Sequence, residues 1–263
     1  MFIVDLLERT LPKGTVLKER YRIDRFLGKG GYGLVYIALD MEIGQEVIVK
    51  QLRKRKYRTG LATFEKEEAI LGLFQHSSIP VCYERFQEGK RHFLVMEWIK
   101  AKNFEQLIFE EGKTFNERES FEVLLQVLRV VKMIHEKGIV HRDLRIPNIL
   151  LRENEIVIID FGLAGYIQHA SEQAFIEAEE VRLFREIAFR SDIYGLGHFV
   201  LFLLYSSYED KAKERSWMEE LSLRPKSLKI IKRMLQIDSG YQDVDQLIQD
   251  VTNFVQSVPT NKW

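Results

Sequence analysis

One cysteine, Cys82, in 263 residues leaves no intrachain disulfide to be made. Packing and hydrogen bonding must hold the fold, and a reducing, cytoplasmic setting is expected. Proline is scarce as well, with five residues at 12, 80, 147, 225 and 259 that are scattered rather than pooled into a linker. Net charge is missing: 39 Lys+Arg balance 39 Asp+Glu, which argues against a broadly basic surface and a nucleic-acid partner. No long hydrophobic run is present. The longest, Phe199 to Tyr205, is far short of a membrane span and reads as a buried helix, with Phe199 to Leu204 as core. The opening Met-Phe-Ile-Val-Asp lacks the basic stretch and cleavage site of a secretory leader, and no internal repeat is visible. What is present, 46% hydrophobic and 30% charged residues, suits a folded chain with a sizeable core in one large domain or two packed lobes.

The hydrophobic period changes along the chain. Up to about residue 100 the apolar runs are short, as in Tyr21-Arg22-Ile23, Leu34 to Ala38, Glu46 to Lys50 and Phe93 to Met96, and predict strands with one helix near 62–74. After about residue 103 the pattern is mostly helical. Asn116 can cap a helix with Glu119 three residues on; Phe121, Leu124, Leu125 and Leu128 form its apolar stripe, and Gly138 stops it. A sheet-rich lobe (about 15–96), a hinge (about 97–103) and a larger helical lobe (about 104–263) are expected.

Gly28-Lys29-Gly30-Gly31-Tyr32-Gly33-Leu34-Val35 fits G-x-G-x-x-G-x-V. A dinucleotide-binding loop would open a helix, whereas Leu34 to Ala38 continues as strand, so this is a hairpin whose glycines let backbone amides approach phosphate oxygens. A plain Gly-rich hairpin is the competing reading. Lys50, on the next strand, points toward the same place unless it is simply solvated. If Ile70, Leu73 and Phe74 face the sheet, Glu67 lies at the border of that face and can pair with Lys50; Glu65 and Glu68 then read as surface charge.

Two further motifs follow in order: His141-Arg142-Asp143-Leu144-Arg145-Ile146-Pro147-Asn148, then, after the apolar strand Ile156 to Ile159, Asp160-Phe161-Gly162. With the Gly loop and the strand lysine upstream, this set resembles the eukaryotic-type (Hanks-type) protein kinase family in its bacterial serine/threonine form. Leu17 to Ile23 looks like the approach to the Gly loop, Met96-Glu97-Trp98-Ile99 like the gatekeeper and hinge, and Ser191 to Gly197 like the start of the helix that anchors the catalytic loop.

The resemblance implies an α+β, bilobal kinase fold and transfer of the γ-phosphoryl group of ATP to a protein hydroxyl, chiefly Ser or Thr. It assigns Asp143 to the acceptor hydroxyl, and Asp160 and Asn148 to Mg²⁺, with Mn²⁺ as an alternative ion. Lys50 with Glu67 would hold the α- and β-phosphates, Arg145 the γ-phosphate, and residues 28–33 would cover them. Val35, Ile48, Met96, Glu97, Trp98 and Ile99 would meet the nucleotide, Ile48 standing where the family usually has Ala. A small-molecule phosphotransferase and a nucleotide-binding pseudokinase are the alternatives, and oligomeric state is left open.

The chain departs from the family after Gly162. Leu163 to Arg190 contains no Pro and hence no A-P-E; Glu179 to Phe184 looks helical, and the stretch Leu235 to Tyr241 lacks the Arg that would pair with the missing Glu. Losing both partners leaves no unpaired charge behind. Arg142 beside Asp143 implies control by a phosphorylated segment. Yet Tyr166 and Ser171 are the only hydroxyl side chains there, so Glu172, Glu177, Glu179 or Glu180 is expected to replace the phosphate, unless backbone carbonyls hold Arg142. Arg53 to Arg58 reads as a solvated basic loop. His76, His92, His135, His169 and His198 lack metal-ligand spacing and read as structural or surface residues.

Overall fold

The computed structural model describes residues 10–30, 33–54, 57–167, 179–208 and 215–259. The chain divides into two compact units, Met1–Lys100 and Ala101–Trp263.

The first unit is built on a six-stranded antiparallel sheet in the order β1-β2-β3-β4-β6-β5. Its strands are β1 (Val16–Leu17), β2 (Tyr21–Lys29), β3 (Gly33–Asp40), β4 (Gln45–Leu52), β5 (Cys82–Glu88) and β6 (Arg91–Glu97). Alternation decides which face is core: Tyr21, Ile23, Leu34, Tyr36, Val47, Val49, Phe93 and Val95 pack on one side. Phe86 extends that layer, stacked between Tyr21 and Phe93 with ring centroids 5.9 and 5.1 Å away.

Helix α1 (Tyr57–Leu71) begins before the predicted 62 and ends before 74. Tyr57 and Arg58, expected in a solvated loop, belong to the helix, and Gly72 follows its last residue. Leu73 is therefore past the helix and 44% exposed, not on the sheet-facing side, while Ile70 and Phe74 are buried. Arg53 corrects the solvated-loop reading again: it is 3% exposed and its Nη1 donates to the Gly30 carbonyl at 3.4 Å.

The second unit opens with β7 (Lys102–Asn103) and α2 (Phe104–Phe109), then α3 (Glu117–Glu136). Asn116 caps α3 in a reciprocal capping box with Glu119. Gly138, at φ 69°, ends it where a side chain would be strained. The buried stripe runs through Phe121, Leu124, Val127, Leu128, Val131 and Ile134; Leu125 is only partly buried. Strands β9 (Ile149–Arg152) and β10 (Glu155–Ile158) form a hairpin extended by β7, and β8 (Ile139–Val140) pairs with β11 (Gly165–Tyr166).

Five helices follow: α4 (Glu179–Arg185), α5 (Phe189–Tyr205), α6 (Trp217–Glu220), α7 (Pro225–Met234) and α8 (Val244–Ser257). The helical reading of 179–184 matches α4. The buried helix α5 starts two residues before Ser191, and one member of its apolar run is not core: Phe202 is 48% exposed. Helix α3 packs on α5 and α8, with Phe121 and Phe254 centroids 4.5 Å apart.

Candidate active site

Strand register assembles the first group of residues. Gly28 is paired with Val35, Val35 with Lys50, Ile37 with Ile48, and Ile48 with Met96. Directly opposed residues share a face, so Val35, Ile48, Lys50 and Met96 lie on the sheet face opposite the Val47 and Val49 core. On that face Lys50 Nζ meets Glu67 Oε1 at 2.5 Å, with the two side chains 12% and 2% exposed. Glu67 sits within the buried stripe of α1, between Phe64 and Ile70, rather than at its border. Such burial needs a paired cation. The competing acids go elsewhere: Glu68 takes Arg85 Nε at 2.8 Å, and Glu65 lies 3.6 Å from the same side chain.

The hairpin between β2 and β3 is closed by the Gly30 N–H donating to the Gly33 carbonyl at 2.8 Å. A Cβ on Gly33 would meet the Gln51 carbonyl oxygen at 3.4 Å, an ordinary contact distance, so the pairing with β4 does not by itself demand glycine there. Gly31 and Tyr32 lie outside the described residues, while Lys29 and Gly30 are exposed. At the other end, the Glu97 N–H donates to the Val81 carbonyl at 2.8 Å and Ile99 is 6% exposed. The Trp98 ring lies beside two cations, Arg25 at 5.4 Å and Lys100 at 4.9 Å.

In the second unit Asp143, Arg145 and Asn148 form one hydrogen-bonded group. Arg145 Nε donates to Asp143 Oδ1 at 2.7 Å and its Nη2 to Oδ2 at 3.0 Å. Asn148 Nδ2 donates to the Asp143 carbonyl at 2.9 Å and to Oδ2 at 2.8 Å. Oδ2 thus receives two donors and Oδ1 one, so Oδ1 keeps a lone pair for an incoming hydroxyl. The Asp143 side chain is 14% exposed and that of Arg145 59%. Pro147 is the second residue of the 3₁₀ turn Ile146–Asn148 that brings Asn148 back to Asp143. Asp160 is exposed and adopts a left-handed conformation, φ 65° and ψ 71°, at the end of the β10 segment.

The start of α5, where the resemblance placed the anchor of the catalytic loop, holds this loop through Asp192. Asp192, wholly buried in the first turn of α5, accepts the His141 N–H on Oδ2 at 2.8 Å and the Arg142 N–H on Oδ1 at 2.7 Å, and its Oδ2 also meets His135 Nε2 at 2.9 Å. Burial alone would raise this carboxyl, but the hydrogen bond and charge of His135, with His141, hold it below the usual carboxylate range. The buried His141 ring is lowered by burial, against the pull of Asp192, and is neutral. Its Nδ1 accepts from the Asp143 N–H at 3.3 Å and its Nε2 faces the Ile159 carbonyl at 3.1 Å. That pattern requires the Nε2–H tautomer. One neutral ring therefore ties the backbone of Asp143 to the residue before Asp160. The sequence signal for Asp192 was Ser191-Asp192-Ile193 opening a buried helix; nothing in the pattern marked His135.

Arg142, at φ 65°, donates from Nη1 to the Leu163 carbonyl at 3.1 Å and from Nη2 to the Arg185 carbonyl. The carbonyl reading of Arg142 thus has two contacts. Glu172 and Glu177 and the side chains of Glu179 and Glu180, offered as phosphate replacements, lie outside the described residues, as do Ser171, one of the two hydroxyl side chains of the segment, and His169. In the stretch Leu235 to Tyr241, Tyr241 is held by a neighbour: Arg233 stacks on its ring at 3.7 Å and pairs with Asp250 at 2.8 Å.

The family model for the protein kinase domain matches residues 21–260. The chain belongs to the protein kinase family, and the antiparallel-sheet unit and mostly helical unit are the α+β fold expected of it. The chain is 33% identical over 256 residues, covering 96% of both sequences, to the "Probable serine/threonine-protein kinase YbdM" of Bacillus subtilis. It is 27% identical to "Serine/threonine-protein kinase B" of Synechocystis over 88% of this chain and 46% of that one. It is also 35% identical to the mouse "NUAK family SNF1-like kinase 1" over 58% of this chain and 23% of that one. Members of the family use ATP and divalent metal ions. Among the described residues no helix is long and apolar enough to cross a membrane.

Proposed function

We propose that this chain transfers the γ-phosphoryl group of Mg·ATP to a Ser or Thr hydroxyl of a protein. The observation that carries the reading is the fixed Asp143 carboxylate, clamped by Arg145 and Asn148 with one lone pair left. Phosphoryl transfer is mostly positioning and charge neutralisation. Asp143 orients the acceptor hydroxyl and takes its proton. Arg145, already charged and mostly exposed, neutralises oxygens of the transferred group, as a planar fork rather than the ammonium usual at this place. Both amide hydrogens of Asn148 are spent on Asp143, which leaves its hard oxygen for a cation, and Asp160 adds a carboxylate. Among the described residues no three His, Cys, Asp or Glu make a metal cage, and Mg²⁺ is commonly held by one or two carboxylates with the substrate's phosphates. A bound Mg²⁺ supplies charge neutralisation of the phosphates; Mn²⁺ suits the same oxygens.

Lys50, its ammonium directed by Glu67, holds the α- and β-phosphates, and the amides of residues 28–33 cover them. Val35, Ile48 and Met96 offer an apolar face for the base beside residues 97–99. Residues 15–96 and 104–263, connected by 97–103, make one catalytic domain. The lone Cys82 suits a cytoplasmic setting.

The test is to incubate the purified chain and its Asp143→Asn variant with Mg·ATP and a generic basic protein, then weigh both proteins intact. Phosphate gain with the wild type alone, mapped to Ser or Thr, is the expected result. No gain on any protein, with Mg·ATP still shifting the melting temperature, would move the reading to a small-molecule acceptor or a nucleotide-binding scaffold.

A further inference from the structure

Side chains draw the two outer strands of the first unit's sheet together. Lys18, just past β1, pairs through Nζ with Glu84 of β5, and its N–H donates to Glu88 Oε1 at 3.1 Å. The Tyr21 hydroxyl donates to Glu84 Oε1 at 2.6 Å. The curled sheet leaves a mouth of about 520 Å³ between β1 and the turn that joins β5 to β6. That volume is in the range of ligand sites, and the mouths of curled sheets are common places for them. Leu17 and Phe93, both buried, form its floor, while Val16 is 44% exposed beside them.

The charges around the mouth are unbalanced. Elsewhere in this unit cations meet carboxylates: Arg20 with Asp40 at 2.6 Å, Arg85 with Glu68 at 2.8 Å and Lys13 with Asp24 at 2.8 Å. Lys54, Lys90 and Arg91 line the mouth with a single acid, Glu88. Arg91 stands directly across the turn from Glu88, yet Glu88 Oε1 is taken by the Lys18 N–H. Among the described residues neither Lys90 nor Arg91 meets a carboxylate. Cations gathered at a concavity concentrate anions there, and a guanidinium can grip a carboxylate through two hydrogen bonds.

We propose that this mouth docks an acidic segment of a partner protein, whose Asp or Glu side chains take Lys90, Arg91 and Lys54 while an apolar side chain between them covers Val16. A polypeptide matches the site better than other polyanions. The balance of 39 Lys+Arg with 39 Asp+Glu supplies no broad basic field for nucleic acid or an anionic bilayer, whereas three cations at one concavity suit a few carboxylates spaced along an extended chain at ~3.4 Å per residue. The docking uses no residue of the transfer reaction, so it is read without ATP.

The full chain is titrated into a fluorescein-labelled peptide, Gly-Asp-Glu-Leu-Asp-Glu-Gly, and into versions with Asn and Gln in place of the acids or Gly in place of Leu, with anisotropy as the readout. The acidic peptide should bind saturably and the amide version at least tenfold more weakly. Lys90→Glu with Arg91→Glu should weaken the acidic peptide by tenfold or more, as should 1 M salt, which shortens the screening length to about 3 Å. Val16→Ser, and Gly for Leu in the peptide, should each weaken it severalfold. If the double variant does not fold, Lys90→Glu carries the test, since that side chain is exposed. No binding, equal binding of the amide version, or binding that the variants leave unchanged overturns the proposal. A tenfold gain in affinity on deleting residues 1–9, which carry Asp5 and Glu8 among apolar residues, would overturn it by making the chain's own opening segment the occupant. Retention on phosphatidylserine vesicles that depends on Lys90 and Arg91, with no peptide bound, would overturn it in favour of a lipid surface.

Discussion

Arg145 closes on Asp143 through two parallel hydrogen bonds, Nε to Oδ1 at 2.7 Å and Nη2 to Oδ2 at 3.0 Å. A lysine can reach only one of those oxygens at a time with comparable geometry. Arg145→Lys should keep the charge and lose the clamp, lowering kcat by about tenfold with a small change in the KM for ATP. Asp143→Asn should cost roughly 10²–10⁴ in kcat, the range for a positioned general base. Steady-state kinetics with Mg·ATP varied measure both; full activity in Arg145→Lys would show that charge at 145, not orientation of Asp143, is what matters.

Glu67 is buried and charge-paired with Lys50 at 2.5 Å. Glu67→Gln removes the charge but not the volume, and charge-assisted hydrogen bonds contribute about 1.5–3 kcal/mol. The affinity for ATP should fall by tenfold or more, read by calorimetry, with a smaller change in unfolding midpoint. Unchanged affinity would mean that Glu67 does not direct Lys50 in the nucleotide-bound protein.

Asp192 satisfies two backbone N–H groups and faces His135. An Asn there presents an NH₂ to one of those N–H donors, so Asp192→Asn should lose about 2–4 kcal/mol of stability. The urea midpoint should drop, and activity with it, because His141 to Asp143 lose their anchor. A loss under ~0.5 kcal/mol, the scale of a surface change, would contradict the assignment.

The Cys82 thiol is pushed up to about 12 by burial, with the charges of Glu68 and Glu67 adding to the shift. The folded state favours the protonated thiol, so its stabilising contribution is whole below the ordinary thiol value of about 8.5 and is lost as pH rises toward 12. Alkylation of the native protein should be slow at pH 8 and rapid after denaturation, followed by intact mass. Fast labelling of the native thiol at pH 8 would refute the burial argument.

Much of this was legible beforehand, and the misses have physical causes. The strands around Tyr21, Leu34, Val47 and Phe93, the Asn116 cap and the Gly138 stop are local features, governed by residues within a few positions of one another. Leu73 and Phe202 were misplaced because period alone cannot say where a helix ends or which apolar residue a neighbouring element leaves bare. Arg53 was read as solvated because a basic run carries no sign that one member reaches the Gly30 carbonyl from inside.

The linear order of Gly loop, Lys50, His141-Arg142-Asp143, Asn148 and Asp160 determined the family and its chemistry, because each motif encodes a backbone shape and a reacting group within a few residues. The contacts of His141 and Arg142 backbone N–H groups with Asp192, the reach of Arg53 to the Gly30 carbonyl and the hold of Arg142 on the Leu163 and Arg185 carbonyls join residues far apart in sequence. Only tertiary packing chooses such partners, since burial and hydrogen-bond geometry are settled once the elements meet.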